Sequence, residues 1–121
     1  MFSSMPAEYK EYVDTDTGIS RVRGNKALYR KMLVLFLQNK EFDAFDEALA
    51  SGDTHRCAEV AHGIKGMTGN LSLPRIYDVS TRLTEEFRAG NPNREAIDEY
   101  HMVLQKTLEY VTAIVSALEE G

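Results

Sequence analysis

The sequence predicts an all-α protein, an antiparallel up-and-down four-helix bundle preceded by a short N-terminal helix. Three observations carry that expectation. Apolar residues recur at steps of three and four along most of the chain. No stretch alternates apolar and polar residues as a half-buried strand does. The interruptions near Gly52, Ser72 and Gly90 are short, which favours antiparallel neighbours.

The elements follow in order. Ala7 to Val13 reads as a short helix with Tyr9, Tyr12 and Val13 on its apolar face. Asp14-Thr15-Asp16-Thr17-Gly18 reads as a turn, after which Ile19 and Val22 tuck under the main body. Asn25 is placed to cap a helix that begins at Lys26. Leu28, Met32, Leu35 and Phe36 form its stripe, widened by Leu33 and Leu37 and continued by Phe42, Phe45 and Leu49. No proline or glycine interrupts it, so one helix of about 25 residues, roughly 38 Å long, is expected, with Gln38-Asn39-Lys40 as the place for a bend. Gly52 sits at a C′ position, and Asp53 or Thr54 caps the next helix.

That next helix carries Ala58, Ala61, Ile64, Thr68 and Leu71 as its stripe. His62 falls off the stripe. At roughly 100° per residue, Lys65, Gly66 and Gly69 lie within about 60° of His62. Each glycine costs a helix roughly 1 kcal/mol against alanine. Two of them beside one histidine either let something come close to it or mark a surface histidine in a poorly optimised helix. Ser72 precedes a new start, and Pro74 fits the first turn of a helix whose stripe is Ile76, Val79, Leu83 and Phe87. Gly90-Asn91-Pro92-Asn93 stops it and starts the last helix, from about Arg94 to Leu118, lined by Ile97, Tyr100, Leu104, Leu108, Val111, Val115 and Leu118. Phe36, Phe42, Phe45 and Phe87 are core side chains.

A chain of 121 residues with 43% hydrophobic and 27% charged residues suits one domain over residues 1–121, its bundle spanning about 25–118. The net charge of -5 argues against nucleic acid or an anionic membrane as partner. No signal peptide or membrane-spanning run stands out, and the single cysteine, Cys57, suits the reducing cytoplasm. Met1 and the end at Gly121 suggest a free-standing protein. There is no Walker loop, dinucleotide fingerprint, zinc cysteine pair or nucleophile elbow. Di-metal bundles use two Glu-x-x-His motifs. Glu59 with His62 matches one, but Asp98 with His101 gives only an Asp variant, no pair of inward glutamates completes the set, and no metal ligand is assigned. His55, in the first helical turn, and His101, between Tyr100 and Met102, read as surface residues.

The segment Ala61-His62-Gly63-Ile64-Lys65-Gly66-Met67-Thr68-Gly69-Asn70-Leu71 resembles the histidine-containing phosphotransfer (HPt) domain, whose pattern is AHxxKG followed by a small-residue GN step. Gly24-Asn25-Lys26-Ala27-Leu28-Tyr29 with Leu35-Phe36 is similar to that family's first-helix motif, and Ala48-Leu49-Ala50-Ser51-Gly52-Asp53 to its turn before the histidine helix. The likeness covers about residues 18–90. The proline often found midway along the first helix is missing, and the N-terminal twenty residues match nothing in the pattern.

The resemblance implies a phosphoryl carrier of a two-component phosphorelay. His62 would accept a phosphoryl group from a receiver-domain aspartate through Nε2 and pass it to another receiver, since neutral imidazole is nucleophilic near pH 7. Lys65 would balance charge on the phosphoryl oxygens. Gly66 and Gly69 would leave room for the partner's loops. Mg²⁺ would come with the receiver, so no cofactor is expected, and without an ATP-binding domain the chain would have no autokinase activity. Expected partners are response-regulator receiver domains and a hybrid sensor kinase, met by a monomer. The alternative is a helical module that docks on receivers without accepting phosphate, which could dispense with the His62 nucleophile. Counting back from Gly52 across a tight turn sets His62 beside about Phe42, and counting forward through Ser72 sets it level with about Arg82. The docking surface is therefore expected to include Asn39, Lys40 and Asp43 together with Lys65, Gly66 and Gly69.

Overall fold

Side-chain caps set three of the helix starts. Asp14 accepts the Thr17 amide at 3.1 Å, Asn25 the Leu28 amide at 3.0 Å and Asp53 the Arg56 amide at 2.9 Å, each satisfying a first-turn N–H that has no partner inside its helix. The computed structural model describes residues 5–120, the last as backbone only. Its helices are α1 (Tyr9–Tyr12), α2 (Thr15–Arg21), α3 (Lys26–Leu37), α4 (Glu41–Ser51), α5 (Thr54–Asn70), α6 (Pro74–Arg88) and α7 (Arg94–Glu120). No strand occurs among the described residues.

Three sequence expectations need correction. The segment 14–18 is not a turn but the start of α2, because Asp14 caps it and Gly18 is buried there. A Cβ on Gly18 would fall inside the van der Waals envelope of the Tyr29 ring, so the glycine serves a close approach. The single long helix is two. Asn39 bonds the Glu41 amide at 2.7 Å and so begins α4, while the Gln38 and Asn39 amides turn back to Leu35 and Phe36 and end α3. Polar side-chain competition breaks the helix there without glycine or proline.

The third correction concerns faces. α3 buries Tyr29, Leu33 and Phe36, and leaves Leu28 42% and Leu35 57% exposed. On α7 the buried seam is Ala96, Tyr100, Val103, Thr107, Val111, Ile114 and Leu118. Ile97, Leu104, Leu108 and Val115 flank that seam half-buried. The core is one cluster in which Phe45 packs on Tyr100 and Phe87, with ring centroids 4.9 and 6.0 Å away.

α5 packs most extensively on α6 and also on α4; α6 packs on α7, and α7 on α3. α4 ends at left-handed Gly52, with the Asp53 amide bonded to the Ala48 carbonyl at 3.1 Å. α5 ends differently, at Ser72, which holds φ +60 without being glycine. Three groups from the N-terminal part of the chain secure this corner. The Arg21 guanidinium donates to the Gly69 carbonyl at 2.6 Å, the Tyr29 hydroxyl to Leu71 at 2.8 Å, and the Asp14 amide to Ser72 at 2.9 Å. The Leu71 and Ser72 carbonyls would otherwise lack a donor, while the Gly69 carbonyl also accepts the Ser72 amide at 3.2 Å. Burial, reinforced by Asp14, raises the Tyr29 phenol well above its ordinary pKa, and burial with Asp46 does the same to Tyr100.

Candidate functional site

α5 buries Cys57, Ala58, Val60, Ala61, Ile64 and Thr68 against its neighbours, and this fixes what it shows to solvent. His62, Gly63, Gly66 and Asn70 are exposed, with Lys65, Met67 and Gly69 half-buried at the edges. At about 100° per residue, Gly66, Met67 and Asn70 lie to one side of His62 and Lys65 and Gly69 to the other. The first side faces α3 and α4, the second α6.

His62 differs from the other two histidines. His55 lies 3.8 Å from the Glu59 carboxylate, and His101 Nε2 lies 2.9 Å from Asp46. Among the described residues no group hydrogen-bonds to the His62 imidazole. An exposed ring with no partner keeps a nitrogen lone pair open to an approaching electrophile. The carboxylates next along the sequence do not gather round it, since Glu59 is drawn to His55. Among the described residues no group of three His, Cys, Asp or Glu side chains is placed to hold a metal ion.

The glycines divide by role. A Cβ on Gly66 would meet nothing within 4 Å. A Cβ on Gly69 would stand 3.2 and 3.3 Å from the edge of the Tyr77 ring, tighter than an ordinary contact. Gly66 therefore leaves open space over the helix, whereas Gly69 lets Tyr77 of α6 lie close to α5. A Cβ on Gly63 would stand 3.5 Å from Glu41 Oε2, which sets the start of α4 beside His62, in agreement with counting back from Gly52. Lys65 Nζ lies 6.0 Å from the centre of the Tyr77 ring.

On the α3 side, Met32, Leu35, Phe36 and Asn39 face Met67, Asn70 and Leu71 across a shallow groove. Asn39 is half-buried there, while Lys40 and Asp43 are exposed at the start of α4. Arg82, counted level with His62, is held by Glu86 at 2.7 Å and Glu99 at 3.6 Å. Sequence reasoning missed Tyr77 and the groove. An aromatic residue one step off the α6 stripe was the available signal for Tyr77. Leu35 gave none, because its spacing reads as core.

No described helix is long and apolar enough to cross a membrane. No curated protein and no solved structure matches the chain. The family model of the Hpt domain matches residues 31–120, from within α3 to the end of α7, with the whole histidine face inside the match. Hpt domains are histidine phosphotransfer modules of two-component signalling that work with receiver domains and sensor kinases, and they are carriers rather than ATP-dependent kinases. With three quarters of its length matched and an all-helical fold over the described residues, the chain belongs to the Hpt domain family.

Proposed function

We propose that His62 is the phosphoryl-accepting residue of this Hpt domain. One observation carries the reading: among the described residues, His62 is the histidine that is exposed and free of any carboxylate, and Gly66 beside it leaves its approach open. In the reaction, the Nε2 lone pair of neutral His62 attacks the phosphorus of a receiver's aspartyl phosphate. The N–P bond forms as the P–O bond to the aspartate breaks, and the carboxylate leaves with the electron pair. Nδ1 keeps its proton. Transfer to a second receiver runs the same step in reverse.

Lys65, one turn along the same face, offsets phosphoryl charge through its ammonium. Mg²⁺ belongs to the receiver side of the complex. The receiver docks over Gly66 and along the groove of Met32, Leu35, Asn39, Met67 and Asn70, where exposed Leu35 offers it apolar area. Lys40 and Asp43 form the polar rim. The α3–α4 pair, α5, α6 and α7 constitute an up-and-down four-helix bundle, a reading supported by the neighbour order of the packing, and the domain works as a cytoplasmic monomer.

The test is incubation of the His62→Gln variant with a phosphorylated receiver. Loss of label transfer with unchanged circular dichroism is expected, while His55→Gln and His101→Gln transfer like the parent. Label on the His62→Gln variant would overturn the assignment. A parental chain that binds the receiver but takes no label would be a docking module without transfer.

A further inference from the structure

We propose that Tyr77 is a positioning residue for the Lys65 ammonium, acting across the α5–α6 contact through the space left by Gly69. The proposal rests on the reading of Lys65 as the phosphoryl partner of His62. Tyr77 stands off the buried seam of α6, where Ile76, Val79, Ser80 and Leu83 point inward, and is 36% exposed. Packing of the core does not account for a large ring there. Its edge instead lies where a Cβ on residue 69 would crowd it at 3.2 Å. Glycine at 69 therefore sets how close the ring comes to α5. The Arg21 bond to the Gly69 carbonyl steadies that turn, and Arg21 lines the same cavity as Tyr77.

Lys65 precedes Gly69 by one helical turn, so both lie on the flank that faces α6. Helical side chains lean towards the N-terminus, so His62, one turn back, is within reach of the Lys65 side chain. With Nζ 6.0 Å from the ring centre, the contact sits at the outer edge of the cation–π range. The ring thus cuts down the rotamers of a long, flexible side chain without capturing its charge. An ammonium has three N–H donors, so it turns them to phosphoryl oxygens while its stem stays against the ring. The orientation is prepared before the phosphoryl group arrives, and less freedom is lost when it does.

The full chain is used for the test, with phosphoramidate as a small phosphoryl donor that releases ammonia as the N–P bond to His62 forms. Phosphorus NMR follows phosphohistidine formation, and proton NMR follows the Lys65 ε-methylene, which a nearby ring shifts upfield. Tyr77→Leu should abolish the upfield shift and slow formation about two- to five-fold, the size expected for an exposed cation–π contact. Tyr77→Phe keeps the ring and should match the parent in both. In a Lys65→Ala background, Tyr77→Leu should add nothing. Gly69→Ala should weaken the upfield shift while the chain stays folded. An unshifted Lys65 in the parent, or formation by Tyr77→Leu at or above the parental rate, would overturn the proposal. A slowing that persists without Lys65 would overturn it too, as it would mark a merely structural role. If phosphoramidate labels a residue other than His62, the underlying reading falls instead; if it labels His62 and Tyr77→Leu changes nothing, only the positioning role falls.

Discussion

Replacing Gly66 with glutamine should separate stability from function. Gly66 lies inside α5, it is exposed, and a Cβ there meets nothing within 4 Å. The substitution therefore removes a poor helix former without a packing cost, a gain of about 0.6 kcal/mol. At roughly 2.1 cal/mol/K per residue, 121 residues give an unfolding entropy of about 0.25 kcal/mol/K, so Tm should rise by about 2–3 °C. On the proposed docking surface, the same side chain stands in the path of the receiver's loops. Overpacking a close contact costs about 1–3 kcal/mol, which weakens receiver binding by roughly 5- to 150-fold. Gly66→Ala should gain slightly more stability and lose less binding. Thermal unfolding by circular dichroism reads the first quantity and calorimetric titration with a receiver domain the second. A lower Tm would show that the glycine serves helix packing. Parental binding by a stable Gly66→Gln variant would show that the partner approaches from another side.

Further expectations follow from particular contacts. Lys65→Ala should slow transfer about ten- to hundred-fold without abolishing it, since one charge-assisted contact is lost while the nucleophile remains; unchanged rates in quench-flow with labelled receiver would make Lys65 a plain surface charge. Gly18→Ala drives a Cβ into the Tyr29 ring, which is fully buried and held through its hydroxyl, so a net loss of up to about 2 kcal/mol in urea unfolding is expected after the helix-propensity gain; an unchanged midpoint would show that the ring yields. Alkaline pH should destabilise the fold. Tyr29 and Tyr100 hold their protons in the folded state beyond the point at which the unfolded chain loses them, so the stability is complete below about pH 10. Above that value the unfolded state binds fewer protons, and stability should fall by up to about 1.4 kcal/mol per pH unit for each tyrosine. Tyrosinate absorbance that rises at both sites before unfolding would contradict this.

The histidine helix was legible because its determinants are local. Asp53 caps it, Gly52 precedes it in the left-handed region, Pro74 opens the next helix, and the stripe from Ala58 to Thr68 is buried as the spacing implies. The histidine face needed only the offset of His62 from that stripe. The misread parts depend on contacts between distant residues. Gly18 looks like a turn residue until Tyr29 is seen lying on it. On α7, two neighbouring apolar stripes both satisfy helical spacing, and small Ala96 and Thr107 mark the crowded one only after α3 and α6 are in place. Leu35 is indistinguishable in sequence from Leu33, yet one is exposed and the other fully buried. The division of labour between Gly66 and Gly69 was equally hidden, because it turns on where a ring from α6 comes to rest.

The corner at Ser72 bears on where the chain could be cut. The family match begins at residue 31, but the donors to the carbonyls of Gly69, Leu71 and Ser72 come from Arg21, Tyr29 and Asp14, all upstream of it. A fragment trimmed to the matched span would lose all three donors. Stranding the buried Leu71 acceptor alone costs about 1–3 kcal/mol, and a native domain has only about 5–15 kcal/mol in total. Such a fragment should fray backwards from Ser72 towards His62, losing amide-exchange protection along α5 first. The unit to graft into a fusion or an engineered relay begins before Tyr9, ahead of the boundary drawn by family likeness.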